Sequence, residues 1–87
     1  MDEEVKKVSV EDMVSLVEYI AKSLVDTPDE VKTNLNEDEE AITIELSVAK
    51  DDMGKVIGKQ GRIAKAIRTV VRAASLKSEK KVLVEIV

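Results

Sequence analysis

Apolar residues recur along this chain with two different periods. Met13, Leu16, Val17, Ile20 and Leu24 stand three or four residues apart, the spacing of an amphipathic helix, here over Val10 to Val25. Ser9 is suited to cap it, and Glu11 and Asp12 suit its positive end. Thr27-Pro28-Asp29 stops it. The period then falls to two. Val31, Thr33 and Leu35 alternate with polar residues as a short strand, and Asn36 to Glu40 form a polar turn. Ile42, Ile44, Leu46 and Val48 alternate with Thr43, Glu45 and Ser47, a strand with one buried and one wet face. A very short helix is expected over Met53 to Ile57, capped by Asp51 or Asp52. Gly58 to Gly61 breaks it, and a longer helix follows from Arg62 to about Leu76. A β-rich run from Lys80 or Lys81 to Val87 closes the chain.

The order helix, strand, strand, helix, helix, strand is an α+β pattern. The first two strands can pair as an antiparallel hairpin, and a helix pair before the last strand makes a crossover. The expected architecture is a three-stranded mixed sheet with three helices packed on one face. A chain of 87 residues holds one core. The expected division is a frayed tail over residues 1–8 and one domain over residues 9–87.

Composition removes several classes of function. Cysteine and histidine are both absent, so no thiolate metal site or disulfide can form, and the commonest general base is missing. No spacing of carboxylates and lysines nominates a catalytic pair. Neither enzyme activity nor a cofactor or metal is expected. The acidic turn Glu37-Asp38-Glu39-Glu40 lacks the ligand spacing and central glycine of an EF-hand loop. No apolar run is long enough for a membrane helix, and Met1-Asp2-Glu3-Glu4 is unlike a signal peptide. A cytoplasmic protein is the simplest expectation.

The net charge of −4 hides a strong asymmetry. Ten basic and three acidic residues between Lys50 and Lys81 give +7, while the other four basic and fifteen acidic residues give −11. Solvated helix faces are the bland explanation. An electrostatic footprint for a polyanion is the functional one.

The basic segment contains Gly58-Lys59-Gln60-Gly61 at the start of a helix. Two glycines separated by two residues make a tight turn that a sugar-phosphate backbone can approach closely. The helix behind it directs free N–H groups and its positive dipole end to the same place. Lys59 and Arg62 add mobile charge. A Walker loop does not fit, because Gly54 and Gly58 enclose three residues and Gln60 follows Lys59; a Gly-x-Gly dinucleotide start is also missing. A helix-turn-helix corner, its glycines serving only the turn, is the plain structural alternative.

The run Val56-Ile57-Gly58-Lys59-Gln60-Gly61-Arg62-Ile63-Ala64-Lys65-Ala66-Ile67 resembles the signature of KH domains, and the element order resembles their type II arrangement. With Asp52-Met53-Gly54-Lys55 before it, the run is similar to the small bacterial KhpA-type KH proteins in particular. The resemblance implies a groove for about four nucleotides of single-stranded RNA beside a clamp loop. By position, Gly58, Lys59, Gln60 and Gly61 match the clamp, Ile57 borders the groove, and Ile63 and Ile67 match core anchors. Lys55, Arg62 and Lys65 are expected to add positive charge around the clamp. The turn Asn36 to Glu40 is expected to border the groove, where its carboxylates would oppose phosphate. Tyr19 is the only aromatic residue, so bases are expected to rest on aliphatic side chains and a strand edge rather than to stack on aromatic rings.

The longer helix carries a second feature. Ile63, Ile67, Val70 and Ala74 form a centre line, flanked by Ala64 and Val71 on one side and Ala66 and Ala73 on the other. This apolar arc spans about half the circumference, wider than the ~100° that one core contact requires. Deep burial in a small domain accounts for it, or one flank, Ala66, Val70 and Ala73, joins a partner. The resemblance implies pairing with a second copy or with a Jag-type KH protein. RNA binding is therefore the first reading, and a protein-interaction module that reuses the KH shape is the second.

Overall fold

The structure, a computed structural model, describes Val8 to Val87. The expected tail, apart from Val8, lies outside the described residues. The elements are α1 (Val10–Leu24), β1 (Lys32–Glu37), β2 (Ala41–Ser47), α2 (Met53–Ile57), α3 (Arg62–Ala74) and β3 (Lys81–Ile86). The expected α+β order is met. β2 is the central strand, antiparallel to β1 and parallel to β3. The helices cover one face of this mixed sheet.

Alternation along β2 does what the sequence implied. Ile42, Ile44 and Leu46 are buried, while Ala41, Thr43, Glu45 and Ser47 between them are half-buried on the other face. In β3, Val82 and Val84 are buried and pair in register with Ile42 and Ile44. Met13, Val17 and Ala21 of α1 and Ala64, Ile67 and Val71 of α3 complete the core with Val56 of α2. Ser9 caps α1 by accepting the Asp12 N–H at 3.1 Å.

β1 extends to Glu37, beyond the expected end at Leu35, because its ladder to β2 continues through Asn36↔Thr43 and Glu37↔Ile42. The turn is therefore shorter, and Asp38 closes it. The Asp38 N–H donates to the Ala41 carbonyl, and its carboxylate accepts the N–H groups of Glu40 and Ala41, each at 2.8 Å. These two backbone bonds, that from Ala41 first, hold the Asp38 carboxyl below its ordinary range. α3 stops at Ala74 rather than Leu76, where Ser75 donates its N–H to the Val71 and Arg72 carbonyls.

Asp52 departs from its expected role. It stands at the head of α2 but makes no capping bond there. Instead it is buried, and its carboxylate accepts the Asp26 N–H at 3.3 Å and the Thr27 N–H at 3.0 Å. It thus ties the end of α1 to the start of α2. Lys55 closes the clip, 3.3 Å from Asp52 and 3.0 Å from Asp26.

Candidate nucleic-acid interface

Two glycines that look alike in the sequence differ physically. Gly58 has φ 76° and ψ 173°, a region open almost only to glycine. A Cβ placed on it would lie 2.2 Å from Ile63 Cγ1 and 2.9 Å from the Ile63 backbone nitrogen. Gly61 has φ 75° and ψ 13°, a left-handed conformation, with open space where a Cβ would go. Gln60, at φ 57°, shares that conformation, which non-glycine residues adopt at some expense. The loop is therefore pinned at Gly58 by the first turn of α3 and turned at Gln60 and Gly61.

The bends leave Lys59 and Gln60 exposed. Gly61 precedes α3 as its N-cap and has no side chain with which to cap it, so the positive end of a 13-residue helix meets the loop. The Arg62 guanidinium donates to Gln60 Oε1 at 3.2 Å, drawing both side chains to one side of the turn. Ile57, at the end of α2, is 37 % exposed beside the loop.

Farther along α3 a groove lies between the helix and the outer edge of β3. Lys65, Arg68 and Arg72 are spaced three and four residues apart, so they stand in one row along α3. The groove has a volume of 480 Å³ and is lined by Arg68 and Arg72 of α3, by Lys81, Val82, Leu83, Val84 and the Glu85 carboxylate of β3, and by Thr43. Arg68 Nε donates to the Val84 carbonyl at 3.1 Å. Arg68 and Arg72 belong to the basic segment of the sequence but were not among the expected site residues; the signal that could have found them is their spacing from Lys65. The β3 wall had no such signal, because only the pairing of β3 with β2 decides which strand edge stays open.

Three expectations change. Lys55 is not aimed at the groove: it is ion-paired to Asp26 and Asp52, and those contacts, Asp26 first, raise its pKa above the ordinary 10.5. The acidic turn adjoins the groove only at its Lys81 end, away from the glycine loop. α3 runs back along β3, so the loop sits about 20 Å away, the length of the helix; at the turn, Lys80 pairs with Glu37 and the Lys81 N–H donates to the Glu40 carbonyl. Third, Val70 is not central to the buried face of α3. The buried line is Ala64, Ile67 and Val71, whereas Ala66, Val70 and Ala73 are exposed, Val70 by 43 %. Val70 is two residues from both Arg68 and Arg72, about 160° round the helix from each. The exposed apolar stripe and the groove are thus on opposite sides of α3.

Among the described residues no helix is long and apolar enough to cross a membrane. The family described as "KhpA/KhpB, KH domain" matches residues 14–86. "RNA-binding protein KhpA" of Clostridium perfringens is 65% identical over 75 residues, 86% of this chain and 100% of that protein. Its namesake in Clostridium acetobutylicum is 63% identical over 75 residues, again 86% of this chain and 100% of the relative. A solved structure of Era in complex with MgGDPNP and nucleotides 1506-1542 of 16S ribosomal RNA is similar at TM-score 0.62 and 21% identity, over 97% of this chain and 35% of Era. At that identity the likeness concerns the fold, and this chain spans about a third of Era's length. The resemblance first carried by a dozen residues around the glycine loop extends to the whole domain: this chain belongs to the KhpA/KhpB family of KH-domain proteins.

Proposed function

We propose that this chain binds short single-stranded RNA, with phosphate held at Gly58-Lys59-Gln60-Gly61 and bases lying in the groove between α3 and β3. The observation that carries the reading is the row of cations on α3. An uncapped helix end and two exposed polar side chains stand at the start of the row Lys65, Arg68 and Arg72, whose last two members line the groove. Phosphate suits the first part and a row of cations suits the strand that follows it. Relatives more than 60% identical carry the name RNA-binding protein. Ile57 and Leu83 provide the aliphatic surface for bases, and Arg62 supports the loop through Gln60. Lys55 acts behind the loop, as part of the clip that fixes α2. The setting is post-transcriptional regulation in the cytoplasm, by one KH domain from Ser9 to Val87 behind the tail.

Pairing is the second part of the proposal, and the exposed stripe Ala66, Val70 and Ala73 supports it. Small residues permit close approach of two helices, and a partner there, a second copy or a Jag-type KH protein, would leave both grooves open. Two grooves in one particle raise the avidity for longer RNA through effective concentration. A partner-docking module without RNA binding is the competing reading, favoured by the same stripe.

Salt titration separates the two readings. Three or four phosphate contacts give a log–log slope of affinity against salt of about −2 to −3 for a single strand, with tighter binding to single strands than to duplex of equal length. No salt-sensitive binding, or a preference for duplex, contradicts the RNA site.

A further inference from the structure

The open edge of β3 is one wall of the groove, and its hydrogen-bonding groups are not all open. Among the described residues β3 pairs only with β2. Lys81 and Val87 donate their N–H groups to the Glu40 and Leu46 carbonyls, at 3.2 and 2.9 Å. The odd-numbered residues of β3 thus face β2. Val82, Val84 and Ile86 turn their N–H and C=O groups outward, as alternate residues of an edge strand do. Their side chains point into the core, so only the backbone of these residues is presented to a ligand. Arg68 reaches from α3 and donates Nε–H to the middle carbonyl, that of Val84, at 3.1 Å.

That bond changes what a base meets at the centre of the groove. A free edge residue offers one donor and one acceptor side by side. With one lone pair of Val84 C=O engaged by Arg68 and the guanidinium in front of it, the acceptor is less available to a base. The terminal N–H groups of the guanidinium, which accepts nothing, take its place. The wall at this level presents donors. Adenine's Watson–Crick edge pairs an amino donor with a ring acceptor and therefore needs the carbonyl. Cytosine carries N3 and O2, two adjacent acceptors, and matches a donor pair.

We propose that Arg68 is the specificity-determining residue of the groove: by occupying the Val84 carbonyl and presenting its own donors, it makes the site select cytosine over adenine. The proposal rests on the reading of the groove as an RNA site. Arg68 also covers a strand edge that could pair with another chain, but cover alone does not distinguish one base from another.

The test uses the full chain and eight-nucleotide cytidine and adenosine oligomers at fixed salt, with the affinity ratio as readout. Comparing one ratio across variants cancels the different self-stacking of the two oligomers. The unmodified protein is expected to favour cytidine about tenfold, the scale of one well-placed bidentate contact. Arg68→Met frees the Val84 carbonyl, so the ratio falls to one or inverts, on top of a general loss of affinity. Arg68→Lys keeps the charge and most of the affinity but also loses the preference, because an ammonium offers no planar donor pair; it decides the matter alone if the methionine variant does not fold. An unchanged ratio in the folded variants, or an adenosine preference in the unmodified protein, overturns the role of Arg68 and leaves the RNA site standing. Failure of the unmodified protein to bind either oligomer removes the RNA site and this inference together.

Discussion

The two turns at opposite ends of α3 and β3 are of similar length and opposite design. The turn after β1 satisfies itself. Asp38 accepts two backbone N–H groups, its own N–H is paired, and Lys80 neutralises Glu37. Its acidic side chains are solvated and its backbone has little left to offer. The glycine loop pairs the Gly58, Gly61 and Arg62 N–H groups with the Gly54, Gly58 and Lys59 carbonyls but supplies no side-chain cap. It leaves the start of α3 uncapped, holds Gln60 and Gly61 in left-handed conformations and keeps Lys59 exposed. Charge alone would have marked both turns as candidate sites, one for cations and one for anions. The side-chain caps distinguish them: a turn whose own carboxylate takes its N–H groups is a structural corner, and one that leaves a helix start without a side-chain cap keeps room for a ligand.

The largest effect on the fold is expected at Gly58. Gly58→Ala forces a Cβ against Ile63 and should cost about 2–4 kcal/mol in urea unfolding, from strain and overpacking together. Gly61→Ala meets no neighbour and should cost only about 1–2 kcal/mol, from its conformation. Equal losses at the two positions would contradict the close approach of α3 to Gly58.

The clip behind the loop comes next. Burial pushes the Asp52 carboxyl up, but the N–H groups of Asp26 and Thr27, with Lys55, outweigh it and leave the group below its ordinary 3.8. A lowered native pKa means that this stabilisation is complete above about 3.9, the unfolded value, and is lost as pH falls through the native value. Asp52→Asn should therefore lower stability at neutral pH and flatten the acid limb of a stability profile below pH about 4. An unchanged acid limb would mean that the clip carries no charge-dependent stabilisation.

Sedimentation tests the outer side of α3. The unmodified protein should reach dimer mass within the micromolar range, and Ala73→Glu should move the transition to concentrations at least about tenfold higher, a shift of about 1.4 kcal/mol. A monomer mass throughout means that the stripe is merely exposed. The smallest effect is expected at the acidic turn: Asp38→Ala should loosen the hairpin, read as faster amide exchange at Glu40 and Ala41, with RNA affinity unchanged.

Much of this was legible in the sequence because it rests on local periodicity. The alternation of Ile42, Ile44 and Leu46 and the spacing of Met13 and Val17 give the layers directly, and Gly58 to Gly61 give the loop between α2 and α3. What escaped depends on contacts distant in the chain. Asp52 looks like a helix cap until the end of α1 folds beside it, 25 residues away. Lys55 looks free for the same reason. Val70 fits the apolar arc of α3 as well as Ile67 does, and only the sheet's position decides which of them is covered. The groove wall of β3 emerges from strand order, which no single segment of sequence encodes.

The comparison of the two turns can be tested in one binding experiment on one single-stranded RNA. Lys59→Asp with Gln60→Asp puts two carboxylates on the open loop, and Glu39→Lys with Glu40→Lys reverses charge on the closed turn by more. If a helix end without a side-chain cap makes the site, the loop pair abolishes binding with an unchanged circular dichroism spectrum, while the turn pair shifts affinity by no more than about threefold through long-range charge. Retained affinity in a folded loop variant would contradict the account at its centre.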